Sequence, residues 1–151
     1  MWHVMQTAAG WQGHRAAARL GRWGLALCMS ATWNACYGPD TISLPHAGGA
    51  FPGLIGRLDH GTRVRPELKH MKKLPSEYLR RFTYDTIGHD DRINMNLVRQ
   101  VGADRVILGS DYCFDMGLDD PVATVARMSE LSQDERDLIL GKTARKLLRI
   151  E

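Results

Sequence analysis

Cysteine is scarce in this chain of 151 residues, and its arrangement excludes two classes of small protein. The three cysteines are Cys28, Cys36 and Cys113, an odd number with no C-x-x-C pair among them. Such a set supports neither a disulfide framework nor a zinc knuckle. We therefore expect the chain to work in a reducing compartment, and the sequence predicts a cytoplasmic protein.

The sequence also lacks a block of lysine and arginine interleaved with aromatic residues. The formal net charge is only +3, and the basic residues are scattered along the chain. A groove for nucleic acid needs concentrated positive charge to neutralise phosphates, usually with aromatic side chains for stacking. The sequence therefore predicts no nucleic-acid partner.

No apolar run is long enough to cross a membrane. The closest approach is WGLALCMSATWNAC, which follows Arg15, Arg19 and Arg22 in the manner of a secretion signal. It is far shorter than the roughly 20 residues that a spanning helix needs. It starts late, contains Asn34 and lacks a clear A-x-A cleavage site. We expect neither export nor a membrane partner.

Regular patterning is missing from residues 1–40 and begins near Thr41. The first segment is rich in Gly, Ala, Arg and Trp and shows no helical stripe, no alternating strand pattern and no helix cap. With 44% hydrophobic residues, the whole chain has enough apolar content for one modest core. The sequence thus predicts an unpatterned segment 1–40 and a folded part over 41–151.

Within that folded part, short apolar strands alternate with helices. The predicted strands are ISLPH, the end of EYLRRFTYDT up to about Asp85, and ADRVILGSD. A brief helix is expected at the start of EYLRRFTYDT. Strands that alternate with helices are typical of an α/β fold with a parallel sheet.

Helix boundaries are marked by capping residues. PGLIGRLDHG predicts a short helix that ends at Gly61, and Asp90 and Asp91 are expected to cap the helix RINMNLVRQV, which stops at Gly102. Two helices follow, DPVATVARMSEL and SQDERDLILGKTARKLLRI, the second opened by a capping box of Ser132 and Glu135. The predicted core face of RINMNLVRQV consists of Ile93, Leu97, Val98 and Val101.

Polar residues follow each predicted strand: His46, Asp85 with His89, and Asp111. In parallel α/β folds the carboxyl ends of the strands carry the chemistry. Each residue also has a structural explanation. His46 could be a core or loop histidine, Asp111 a cap of the next turn, and Asp85 an ordinary carboxylate at the end of a strand.

Three motifs in fixed order carry a resemblance to a known family. HAGGAFPGLIGRLDHG, YDTIGHD and VILGSDYCF resemble the carboxyl-terminal half of the amidohydrolase-related, metal-dependent decarboxylases of the 2-amino-3-carboxymuconate-6-semialdehyde decarboxylase type, over residues 41–151. The resemblance implies part of a (β/α)₈ TIM barrel, about strands six to eight with their helices. It also implies one divalent metal, usually zinc, at the carboxyl-terminal mouth.

The resemblance assigns roles to four residues. Asp111 matches the strand-eight aspartate that ligates the metal, and His46 matches the strand-six histidine that acts as general acid/base. Arg57 matches an arginine that reaches the neighbouring subunit's site and pairs with a substrate carboxylate, and Phe114 matches an aromatic residue of the pocket. The implied protein is a homodimeric decarboxylase of small unsaturated or aromatic carboxylic acids.

Other parts of the family pattern are missing. The H-x-H pair of strand one and the histidine of strand five have no counterpart, because His3 and His14 are the only histidines before His46. Where the family often has G-N-A, this chain has Gly141-Lys142-Thr143, a change that could affect only a cap. Alternatives to the decarboxylase are a metal-dependent hydrolase on the same barrel and a truncated relative without catalysis.

A closed barrel takes about 250 residues, so the sequence predicts an incomplete one. We expect the chain alone to hold little zinc and to be inactive, and either to self-associate through uncovered surface or to unfold with low thermal cooperativity. Residues 1–40 are expected to lie outside the barrel. Their Arg/Gly/Ala/Trp bias is typical of a shifted reading frame in GC-rich coding sequence, and an alternative start or exon would give the same pattern.

Overall fold

A computed structural model describes residues 42–150. The predictions for residues 1–40 lie outside these residues, and the boundary near residue 41 stays a prediction. Three parallel strands form a sheet in the order β1-β2-β3: β1 (Ser43–Leu44), β2 (Thr83–Asp85) and β3 (Val106–Ile107). In this register Tyr84 lies between Leu44 and Val106. The predicted parallel α/β sheet is confirmed.

Helical segments follow each strand. After β1 come a turn at His46–Gly48, α1 (Ala50–Gly53), α2 (Ile55–Val64) and two 3₁₀ segments, Pro66–Leu68 and Pro75–Arg81. After β2 come α3 (Asp91–Val101) and a 3₁₀ turn, Ala103–Arg105. After β3 come α4 (Pro121–Arg127), α5 (Gln133–Asp137), a π-helical segment (Leu138–Lys142) and α6 (Thr143–Leu148). Within residues 42–150, none of these helices combines the length and apolarity that a membrane crossing needs.

Helix α3 connects β2 to β3 and supplies much of the core. Asp90 is its N-cap, accepting a hydrogen bond from Arg92 N at 2.8 Å, and Gly102 ends it at φ 83°, as predicted. Asp91 is the first helical residue and pairs with Arg127 instead of capping. The predicted core position Ile93 is wrong, since its side chain is 51% exposed.

The buried face of α3 explains this error. Its centre runs through Asn94 and Val101, and Leu97 and Val98 flank it. Ile93 lies at the margin of that face, where the helix turns toward solvent. The face packs on a core whose fully or almost fully buried side chains include Tyr84, Val101, Val106, Val125, Met128 and Ile139.

Several predicted boundaries are wrong because long-range contacts set them. Helix α2 continues past Gly61 to Val64, and the helix predicted in EYLRRF is the 3₁₀ segment Pro75–Arg81. Strand β3 covers only two of the nine residues in ADRVILGSD, because a 3₁₀ turn precedes it and its end meets the last helical run. There, Leu108 N donates to Ile139 O at 2.9 Å.

The last helical run begins with the predicted capping box. Ser132 N donates to Glu135 Oε2 at 2.9 Å, and Glu135 N donates to Ser132 Oγ at 3.3 Å. Ser132 N and the Ser132 hydroxyl, which donates to Glu135 Oε2 at 2.8 Å, lower the pKa of Glu135. Lys142 ends the π-helical segment, and the buried Thr143 donates its hydroxyl to Ala103 O at 3.4 Å. The Gly-Lys-Thr sequence therefore ties this run to the turn before β3.

Candidate active site at the carboxyl edge of the sheet

Three polar residues follow the carboxyl ends of the three strands. His46 lies two residues after β1, Asp85 is the last residue of β2, and Asp111 lies four residues after β3. Because the strands are parallel neighbours, their carboxyl ends share one edge of the sheet. The fold thus brings the His46 and Asp111 segments to the same edge, with Asp85 between them.

His46 opens a left-handed turn. The backbone φ angles are 56° at His46, 52° at Ala47, 78° at Gly48 and 57° at Gly49. Glycine adopts such angles readily, whereas histidine and alanine do so only when the surroundings hold them there. The turn exposes the His46 side chain and buries Ala47.

The carboxylate of Asp85 holds this turn. One oxygen, Oδ2, accepts from His46 N at 3.0 Å, and the other, Oδ1, accepts from Ala47 N at 2.9 Å and from Ile87 N at 3.0 Å. Asp85 is only 5% exposed. A buried carboxylate needs several donors, and successive N–H groups in a left-handed turn form a concave anion site. Asp85 therefore occupies a site made by the His46 turn.

A second buried group joins β2 to the segment after β3. Thr86 is fully buried, and its Oγ1 accepts from Gly109 N at 3.2 Å. The buried Asn94 of α3 donates its Nδ2 to Thr86 O at 3.0 Å. A Cβ on Gly109 would lie 2.9 Å from Asp85 Cβ, so only glycine allows this close approach.

Asp111 lies in the loop that follows β3. It is half-buried, has a φ of 56°, and its carbonyl oxygen accepts from Phe114 N at 3.0 Å. Leu118 N donates to Ser110 O at 2.8 Å and closes the loop. Phe114 is 51% exposed. The loop presents both residues beyond the sheet edge.

Two further candidates lie on the surface. Arg57 is exposed on α2, whose position is fixed where Ser76 N donates to Asp59 Oδ1 at 2.9 Å. His89, which was considered together with Asp85, is exposed at φ 54°. His89 does not join the bonds that link Asp85 to the His46 turn.

Metal ligands are incomplete in the described part of the chain. Over residues 42–150, no group of three or more His, Cys, Asp or Glu side chains could hold a metal ion. A zinc site needs three or four such ligands. The residues present at the sheet edge, Asp111 included, therefore do not fit a metal by themselves.

Sequence reasoning missed the role of Asp85 as a binding partner of the His46 turn, and missed Thr86 and Asn94 altogether. A signal was present in YDT, where two polar residues directly follow the buried Tyr84. Polar side chains at that position must find partners, because burial without a hydrogen bond is costly.

The sequence of this chain is similar to those of a known family and of two named enzymes. The family model described as Amidohydrolase matches residues 39–150. The 2-amino-3-carboxymuconate-6-semialdehyde decarboxylases of Dictyostelium discoideum and Caenorhabditis elegans are each 33% identical over 112 residues, which is 73% of this chain. The match covers 31% and 28% of those proteins, so the chain spans about a third of their length.

Solved structures give the same result. The 5-carboxyvanillate decarboxylase of Sphingomonas paucimobilis is similar with a TM-score of 0.69 and 25% identity, over 85% of this chain and 39% of that protein. A dihydroxybenzoic acid decarboxylase of Polaromonas sp., with bound manganese, has a TM-score of 0.67 and 20% identity, over 85% of this chain and 40% of its own. The chain belongs to the amidohydrolase family, and the part described is a partial (β/α)₈ barrel, about strands six to eight with their helices.

Proposed function

We propose that this chain supplies one side of a decarboxylase site that acts on a small unsaturated or aromatic carboxylic acid. The supporting observation is that the exposed His46 and the Asp111 loop follow parallel strands and share the carboxyl edge of the sheet. Family relatives with decarboxylase activity support the reaction class. Fold alone would not choose this reaction, since one barrel hosts many chemistries.

The proposed proton donor is His46. When the bond to the carboxylate breaks, CO₂ leaves and the electron pair stays on the substrate carbon, which must then take a proton. An imidazole can give and take a proton near neutral pH, and the His46 ring is exposed where a substrate could reach it.

Substrate binding is assigned to Arg57 and Phe114. A guanidinium holds a carboxylate through two parallel hydrogen bonds, which suits a substrate with a second acid group. An exposed aromatic ring on the Asp111 loop offers a face for an unsaturated or aromatic substrate. Arg57 lies on the surface of α2, and the Phe114 ring is 51% exposed.

The proposed metal role of Asp111 needs ligands from elsewhere. Since residues 42–150 lack a group of three ligands, the others would come from outside this range or from a second polypeptide. Zinc is the metal we expect in the completed site. By itself the chain should retain little zinc and release no CO₂. Protonation is assigned to His46 alone, and substrate binding to Arg57 and Phe114.

A chimera tests the proposal. The matching 112-residue segment of the Dictyostelium relative would be replaced by that of this chain, so that the relative supplies the remaining strands. We expect the chimera to release CO₂ from 2-amino-3-carboxymuconate-6-semialdehyde. The His46→Asn variant should lose at least about 10²-fold in kcat, the usual share of a general acid or base. His70→Asn, at an exposed histidine away from the sheet edge, is the matched control.

Three outcomes would count against the proposal. A folded chimera that releases no CO₂ would favour a relative without catalysis, and one that hydrolyses amides or esters instead would favour the hydrolase. A His46→Asn variant with the kcat of His70→Asn would remove the role given to His46.

A further inference from the structure

We propose that Asp85 is a positioning residue that sets the backbone of the His46 turn and so aims the His46 ring at the substrate. The catalytic consequence rests on the proposed function, whereas the structural link does not. Asp85 is assigned no contact with substrate in this proposal. It acts through the backbone of His46.

The first argument is the direction of the hydrogen bonds. Asp85 accepts from the backbone N–H groups of His46 and Ala47, which lie 39 and 38 positions earlier in the sequence. Both donors belong to residues at positive φ, where a side chain destabilises the backbone. Bonds from N–H to a carboxylate are charge-assisted and stronger than neutral ones, and they offset that strain.

The second argument is that Asp85 is held on its other sides. Its Oδ1 also accepts from Ile87 N, and its Cβ is close enough to Gly109 that an added methyl group there would lie at 2.9 Å. The carboxylate is therefore bound to its own strand end through Ile87, and the Asp85 side chain packs closely beside Gly109. A side chain held in this way sets the position of the backbone N–H groups that it binds, those of His46 and Ala47.

The third argument is the exposure of the His46 ring. The ring itself extends into solvent, and its main-chain N–H is anchored to Asp85. Small errors in the position of a reacting group cost large factors in rate. The anchor thus supplies through the backbone an orientation that an exposed side chain does not receive from surrounding packing.

Two substitutions at Asp85 separate the bonds. Asp85→Asn keeps one acceptor oxygen, which can still serve Ala47 and Ile87, but it places an amide donor opposite His46 N. Asp85→Ala removes all three bonds. In the full 151-residue chain we expect the His46 amide proton to move upfield and to exchange about 10- to 100-fold faster in Asp85→Asn, as for the loss of one charge-assisted bond. In Asp85→Ala, the amide protons of Ala47 and Ile87 should also move upfield and exchange faster, because their acceptor is gone as well.

The control must lose stability without touching the sheet edge. Val125 lies in α4 and is only 1% exposed. Val125→Ala lowers stability because it removes buried apolar volume from the core. We expect its His46 and Ala47 amide shifts to match those of the wild type. If Asp85→Asn changes the His46 amide no more than Val125→Ala does, Asp85 is only a structural residue and the proposal is overturned.

A kinetic measurement in the chimera tests the catalytic consequence. Asp85→Asn should reduce kcat by about 10²-fold, the scale of a misplaced catalytic group, with little change in KM, whereas Val125→Ala should keep kcat. If the parent chimera is inactive, the proposed function fails. The amide shifts and exchange rates then test by themselves whether Asp85 sets the backbone of the His46 turn. Unchanged kcat in an active Asp85→Asn chimera would overturn the positioning role.

Discussion

At the scale of the residue, Tyr84 shows how one side chain links several parts of the fold. It is fully buried in β2, and its hydroxyl donates to Leu79 O at 2.8 Å. Its ring lies so close to the His46 turn that a Cβ on Gly48 would be 2.8 Å away. Tyr84 therefore contributes a hydrogen bond on one side and requires a glycine on the other.

Removing the hydroxyl should destabilise the protein. In Tyr84→Phe the carbonyl of Leu79 loses one of its two donors and keeps Phe82 N, so the expected cost is about 0.5–1.5 kcal/mol in the free energy of unfolding. Urea unfolding measures it. Tyr112→Phe is the control, because Tyr112 is 90% exposed and its hydroxyl should contribute almost nothing. Equal losses in the two variants would contradict the assignment.

The same residue predicts an alkaline limit to stability. Burial raises the pKa of Tyr84 far above its ordinary value of 10.0. Above pH 10 the unfolded chain therefore loses a proton that the folded chain keeps, and the contribution of Tyr84 to stability declines. The stability difference between wild type and Tyr84→Phe should be constant below pH 9 and should shrink between pH 10 and 11, by about 1.4 kcal/mol per pH unit at most.

At the scale of the element, two glycines distinguish the interior of a helix from its end. Gly61 lies within α2, and a Cβ there would make an ordinary contact with Leu68 Cδ1 at 3.8 Å. Gly102 follows α3 at φ 83°, where a Cβ would lie 2.5 Å from Arg80 Nη1. The two positions should respond to alanine in opposite ways.

Thermal or urea unfolding tests this contrast. Gly61→Ala should stabilise the protein by about 0.5–1 kcal/mol, because alanine loses less backbone freedom in a helix. Gly102→Ala should destabilise it by about 1–3 kcal/mol, because the left-handed backbone disfavours a side chain. Loss of stability in Gly61→Ala would mean that α2 ends at Gly61, as the sequence alone predicted.

Elements determined by local residues could be predicted from the sequence, and elements determined by distant contacts could not. Asp90, Gly102 and the Ser132–Glu135 box mark helix ends through bonds within four positions. The motifs also placed His46 and Asp111 after parallel strands. The bond from Leu108 N to Ile139 O and the bonds from the His46 turn to Asp85 join segments more than 30 positions apart, and no local pattern reports them.

At the scale of the whole molecule, the sheet has two outer strands. Among the described residues, β1 and β3 each pair with β2 only, and beyond β3 the N–H of Leu108 is taken by Ile139. The chain also spans about a third of the length of its curated relatives. The proposed metal site needs ligands beyond the described residues, and the homodimer that the family resemblance implies is one source of them.

Subunit mixing tests whether Arg57 acts across such a dimer. Chimeras carrying Arg57→Ala and His46→Asn should each be nearly inactive. If every site takes His46 from one subunit and Arg57 from the other, half of the dimers in an equal mixture are mixed and each has one intact site. Activity should then recover to about a quarter of the unmutated level. No recovery after exchange, confirmed by mass spectrometry, would place Arg57 in its own subunit's site, and an Arg57→Ala chimera that keeps its activity would place it outside any site.

The carboxylate of Asp85, at the centre of the sheet edge, also affects the kinetics of folding. The bonds from Asp85 to His46 and Ala47 close a loop of nearly forty residues, which costs about 3 kcal/mol in configurational entropy. We expect them to form after the rate-limiting step, giving Asp85→Ala a φ-value near zero. In stopped-flow measurements this variant should unfold faster and refold at the speed of the wild type. Asp85 would then act as a latch that sets the lifetime of the native state and leaves the speed of its formation unchanged.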